Sequence, residues 1–261
     1  MYSGRKEPFM KKRNIAIFFF LLFFGLQILT ACGKDDLLPA NEGDFSQILE
    51  LYNEHTDPVK SAANITVTKR DKRETEMDIP LLLKLLAQGQ LEKQLNEQLG
   101  GDPNKDATVT ETFIAGKGAQ DEALTLIDFL PVGGQNYMSR LKGDNIASAV
   151  FTERENGENI KIRVKDEAFT MENKASVYPS FMDVGFGAEN SSGNENEGGF
   201  SGIITIAGTF KDGGINALFD KDWRLISLTL TCKTSLEITV IGMKIEVEQS
   251  ASQEFQFTWE E

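Results

Sequence analysis

The C-terminal half of the chain alternates between apolar and polar positions. Ile160, Ile162 and Val164 fall on one side of an extended segment, while Lys161, Arg163 and Lys165 fall on the other. That is the pattern of an antiparallel strand with one buried face. Asn156-Gly157 suits a type I′ turn, so residues 146–155 and 158–165 read as a hairpin. Residues 200–259 read as a meander. Ile204, Ile206 and Phe210 alternate up to a turn at Asp212-Gly213-Gly214, and Ile215, Ala217 and Phe219 up to one at Asp220-Lys221-Asp222. Ile226, Leu228, Leu230 and Cys232 then share an inward face. Leu236, Ile238 and Val240 keep that even phase, but Met243, Ile245 and Val247 are odd, which predicts a bulge or bend at Ile241-Gly242. Phe255, Phe257 and Trp259 form a last strand.

The N-terminal half carries helical spacing. Asp44 reads as an N-cap with Gln47 as its capping-box partner, followed by Phe45, Ile48, Leu49 and Tyr52, with Thr56-Asp57-Pro58 as the stop. Residues 64–77 read as one strand. Residues 78–99 read as the main helix, with Asp78 as cap, Pro80 in the first turn and Gly100-Gly101 as the stop. Leu81, Leu85, Leu95 and Leu99 share one side, expected to pack on the core or to lid an apolar cavity. Residues 107–115 and 123–130 are further strand candidates, and residues 189–199 a glycine-rich polar loop. The fold class expected is mainly β: an antiparallel barrel or sandwich, with the helix at 78–99 covering an end or a face.

A different pattern opens the chain. Lys11, Lys12 and Arg13 precede an apolar run from Ile15 to Leu29, which is the order of a secretory signal peptide. The run is short for a membrane span. Translation is expected to start at Met10, because residues 1–9 precede an already complete basic region. Leu29-Thr30-Ala31-Cys32 resembles the bacterial lipobox, which implies cleavage before Cys32 and acylation of its sulfur. Gly33-Lys34-Asp35-Asp36 resembles the export signal of Bacteroidetes surface lipoproteins, a lysine followed by two acids, here Lys34, Asp35 and Asp36. Together they resemble the uncharacterised surface lipoproteins of that group. The expected division is a signal peptide at 1–31, a flexible tether at 32–43, which lacks periodicity, and, from the pattern of its elements, a single mainly-β domain at 44–261. The resemblance implies lipid anchoring in the outer membrane on the cell surface, with the periplasmic face as the alternative.

Composition narrows the function classes. The 261 residues hold 27 Lys+Arg against 40 Asp+Glu, a formal charge of −13. Loss of residues 1–31 removes five bases and one acid and leaves −17. Phosphate binding needs clustered bases, so nucleic acid is not an expected partner. One His and two Cys leave little for a metal centre, and no cofactor motif is present. Asp102, Asn104 and Asp106 imitate the start of a calcium loop, but Ala107 and Phe113 stand where Gly and Glu are required.

No catalytic constellation is legible. His55, the sole imidazole, reads as a surface residue, and Cys232 as a buried, inert thiol. Tyr178, Phe181, Met182 and Phe186 bring three aromatics and a Met into nine residues, a candidate ligand-binding stretch whose plainer reading is the edge of the core. The function expected is a non-catalytic envelope protein. The expected role is a binding module for a glycan, lipid or hydrophobic small molecule; the alternatives are adhesive contact with another protein and a carboxylate-dependent hydrolase. An enclosed apolar cavity, an exposed apolar patch or two converging acids in a cleft would distinguish them.

Overall fold

The computed structural model describes residues 45–87, 104–184, 204–240 and 242–260. Helix α1 (Ser46–Thr56) and a short 3-10 turn (Asp57–Ser61) lead into β1 (Asn64–Asp78), then α2 (Leu81–Ala87), β2 (Asp106–Ile114), β3 (Lys117–Gly118) and α3 (Leu126–Phe129). The hairpin β4 (Ile146–Arg154) and β5 (Gly157–Val164) follows, then β6 (Glu167–Thr170). Three long strands complete the chain: β7 (Ile204–Phe219), β8 (Leu225–Val240) and β9 (Met243–Trp259).

Among the described residues, all strands pair antiparallel in one nine-stranded sheet, ordered β3-β2-β1-β9-β8-β7-β5-β4, with β6 beside the first half of β7. The sheet is open, so of the two expected architectures it is the sandwich-like one. The inward faces of β8 and β9 alternate as the sequence predicts. On β8, Leu228, Leu230, Cys232, Leu236, Ile238 and Val240 are buried; on β9, Ile245, Val247, Phe255 and Phe257. Between the apolar ends of β1 and β9 lies a polar band, in which Asp71 faces Gln253 and Thr75 faces Gln249. Gln253 donates to Asp71 at 3.1 Å and Gln249 to Thr75 at 3.0 Å, so these amides are satisfied inside the sheet.

Several sequence expectations are corrected by long-range pairing. Asp212 and Gly213 form a bulge within a continuous β7, not a turn: Lys211 faces Lys233 and Gly214 faces Thr231. Asp212 takes a positive φ of 51° there. The Gly213 amide donates to the buried Tyr178 hydroxyl at 3.0 Å, and a Cβ on Gly213 would lie 2.7 Å from that oxygen. In place of the expected bulge or bend, β8 and β9 join in a tight hairpin at Gly242, since Val240 pairs with Met243; Ile241 lies outside the described residues. Strand β9 then runs unbroken to Trp259. Ile226 is exposed and Leu225 buried, because the register shifts at Phe219. Residues 123–130 contain α3 and no strand of the sheet. Thr125 caps α3 by accepting the Asp128 amide at 3.2 Å and donating to the Asp128 carboxylate at 2.6 Å. Asp78 stays in β1 opposite Glu246 and does not cap α2. Phe45, without a side-chain cap, occupies the N-cap of α1, and Asp44 lies outside the described residues.

Candidate functional site

Strand β1, roughly 50 Å in contour, separates two ends of the sheet. At one end lie α1, the β7–β8 turn and Trp259. At the other, β1 finishes at Asp78 and the chain turns through Ile79 and Pro80 into α2. Pro80 has a carbonyl that accepts the Lys84 amide at 3.1 Å, which starts the helix. Ile79 and Leu83, four residues apart, are buried in the core at 5% and 4% exposure. A 100° step per residue then turns Leu81 and Leu85 to the opposite side. They are 73% and 69% exposed, with Leu82 at 56%. This reverses the expectation that the Leu81–Leu85 face packs on the core. Leu95 and Leu99, predicted for the same face, lie outside the described residues.

The same end of the sheet carries more apolar surface. Met171 follows β6, donates its amide to the Ile206 carbonyl at 3.2 Å and is 58% exposed. Ile206 and Met243 are half-buried nearby along the strand ends. Acids stand on the other face here: Asp78 and Glu237 both lie opposite Glu246, and Glu76 lies opposite Glu248. Lys244 partly offsets them, at 2.7 Å from Glu237 and 2.9 Å from Glu246.

The aromatic stretch found in the sequence lies within the core. Tyr178 and Phe181 are fully buried and Met182 is 1% exposed. Tyr178 stacks on Phe210 at 5.0 Å, and burial pushes its hydroxyl up to about 12. The Glu167 carboxylate accepts the amides of Ser176, Val177 and Tyr178 at 2.8, 3.0 and 3.1 Å and pins this segment to β6. Phe186 lies outside the described residues, as do Cys32, Lys34, Asp35 and Asp36.

His55 does not stand free on the surface. It stacks on Trp223 at 4.2 Å, and Phe151 lies parallel to Trp223 at 5.9 Å. Asp106 forms two hydrogen bonds with Arg70, both 2.8 Å, in place of a calcium-loop role. Asp102 lies outside the described residues. Glu153 and Glu158 face each other across the β4–β5 hairpin, and burial, then Glu153, raises the Glu158 carboxyl above its ordinary range. This pair lines neither of the larger cavities among the described residues. One, of about 930 Å³ beside α1, is walled by Glu50, Asn53, Glu54 and Asp57. The other, of about 300 Å³ on the sheet, is walled by Lys72, Glu74, Asp212, Lys233 and small hydroxyl residues. The cavity beside α1 is polar.

Cys232 is 3% exposed, and burial pushes its thiol from 9.0 up to about 11 against the hydrogen bond with Thr234 and the charge of Arg73. Unfolding lets the thiol ionise near 9. The stability due to the neutral thiol is therefore complete below pH 9 and lost as pH rises to about 11. Lys60 acts in the opposite sense: burial lowers its ammonium from 10.5 to about 8, so stability rises across that window. The difference between wild type and Cys232→Ala isolates the thiol. It is expected to hold steady below pH 9 and shrink by about 2 kcal/mol by pH 11 in urea titrations. A pH-independent difference would refute the assignment.

Comparison with known proteins returns no match: no family model fits the chain, and neither a curated protein nor a solved structure is similar to it.

Proposed function

We propose that this chain is a non-catalytic, lipid-anchored envelope protein that contacts another protein through Leu81, Leu82 and Leu85. The observation that carries the reading is the exposure of these three leucines on α2, at the same end of the sheet as exposed Met171. Burying each leucine would return roughly 1.5–3 kcal/mol, so the ridge favours an apolar counterpart. The acids at the same end disfavour an anionic lipid surface and favour a protein with an apolar groove and a basic rim. The cavity beside α1, walled by Glu50, Asn53, Glu54 and Asp57, gives little support to a hydrophobic small-molecule site there. In this reading residues 1–31 are removed, Cys32 is acylated, residues 32–43 form the tether, and residues 44–261 are displayed on the cell surface under the export signal Lys34-Asp35-Asp36.

A photo-crosslinking residue at Leu85 in intact cells tests the proposal. A discrete protein adduct is expected at Leu85 and not at exposed Glu248, and external protease should digest it. Serine at Leu81, Leu82 and Leu85 should abolish the protein contact while changing stability by less than about 0.5 kcal/mol. An adduct with lipid alone, or equal adducts at both sites, would overturn the reading.

A further inference from the structure

The edges of the open sheet are not equally protected. Strand β4 has a register shift between Ile146 and Ser148 and is regular only from Ser148 to Arg154, β6 spans four residues and β3 two. Bulges and short strands are devices that block edge pairing. Strand β2 has neither: its pairing with β1 runs unbroken from Asp106 to Ile114, without proline or lysine.

Two hydrogen bonds show which backbone groups of β2 point outward. The Arg73 amide donates to the Lys105 carbonyl at 2.7 Å, and the Ala115 amide to the Ala63 carbonyl at 2.6 Å. Residues 105 and 115 are both odd, so in a regular ladder the odd residues bond to β1 and the even ones turn away. Thr112 agrees, since its carbonyl accepts the Ala119 amide at 2.8 Å on the outer side. Asp106, Thr108 and Thr110 therefore aim their amides and carbonyls outward, and among the described residues no strand pairs with them. Beyond residue 110 the edge is closed. Gln120 donates its amide to the Glu111 carboxylate at 2.8 Å, and β3 pairs at Phe113 and Ile114.

We propose that this edge, residues 106–110, pairs antiparallel with the same edge of a second copy of this chain, about a two-fold axis at Thr108. The open window has Thr108 at its centre, so the two copies present matching groups. Thr108 meets Thr108, and Asp106 meets Thr110 of the second copy, each pair exchanging two backbone bonds. Ala107 meets Val109, which is 51% exposed in the single chain and gains an apolar neighbour. No like charges stand opposite each other. Arg70 neutralises Asp106 within the same chain, so the edge adds no repulsion to a body that is otherwise strongly acidic. The contact is isologous and closes at two copies.

Sedimentation equilibrium of the detergent-solubilised full chain tests this. A monomer–dimer equilibrium is expected at micromolar concentration. Thr108→Pro removes an outward amide that β1 does not use, so it should weaken the dimer at least about tenfold with an unchanged circular dichroism spectrum. Val109→Lys should do the same by placing like charges at the seam, and it serves if the proline variant misfolds. Serine at Leu81, Leu82 and Leu85 should leave the dimer intact. A chain that is monomeric throughout, a dimer insensitive to both edge variants, or one dissolved by the leucine variant would overturn the proposal.

Discussion

Replacing Gly157 with alanine is expected to lower stability by about 4 kcal/mol, enough to threaten folding. Gly157 opens β5 directly after the hairpin turn and has a φ of 138°. A Cβ there would sit 2.0 Å from the Phe219 carbonyl oxygen and 2.9 Å from the Asp220 Cα. Both obstacles are backbone, and β5 pairs with β7 at this point, Glu158 facing Phe219. No side-chain rotation relieves such a contact, so the strands must part. Gly116→Ala is the control. Gly116 has a φ of 79° and nothing within 4 Å of an added Cβ, so only backbone strain of about 1 kcal/mol applies. Urea denaturation of the two variants should separate them clearly; equal losses would show that the β5–β7 contact yields.

Lys60→Met is expected to cost about 3 kcal/mol. Lys60 is 4% exposed, and its ammonium donates to the Pro131 and Val132 carbonyls at 2.5 and 2.9 Å. Val132 has a positive φ of 55°, unfavourable for a β-branched residue, and the lysine helps to hold it. From the same 3-10 turn, Asp57 accepts the Met138 amide at 2.7 Å, and burial raises its carboxyl above the ordinary range. The two charges thus clamp residues 131–138 from one short segment. Methionine keeps the apolar stem but leaves two carbonyls without their donor and Asp57 without its counter-charge. A double-mutant cycle with Asp57→Asn should show coupling above about 1 kcal/mol in thermal or urea unfolding. Additive losses would mean that the two side chains act separately.

Neither residue announces this role in the sequence. Lys60 looks like any charged residue near a helix end, and its partners lie 71 and 72 positions away. Asn156-Gly157 marked the hairpin, but the type I′ turn expected there does not form: Gly157 pairs with Arg154 and Asn156 keeps a negative φ, and the β7 carbonyl against the Gly157 α-carbon was not legible. Thr125 and Asp128 have the spacing of a capping pair, a signal the strand reading of 123–130 passed over because the surrounding apolar residues imitate a strand. The leucines of the candidate site were equally visible as residues, and their outward direction was not. Ile79 and Leu83 anchor α2 only because β1 delivers the chain to that end of the sheet.

Alternation of apolar residues was enough to determine the antiparallel β class, the inward faces of β5 and β8, the β4–β5 hairpin and the buried state of Cys232. These depend on neighbours one or two positions away, and pleat and turn preferences act over that range. The tertiary structure alone decided that Asp212-Gly213 is a bulge, that the sheet stays open and that Leu81 and Leu85 face outward. A bulge and a turn use the same residue types, and the choice rests on whether β8 continues its pairing past them and on a Tyr178 hydroxyl 35 residues away. Those outcomes come from contacts between distant segments, which the local pattern of the chain does not contain.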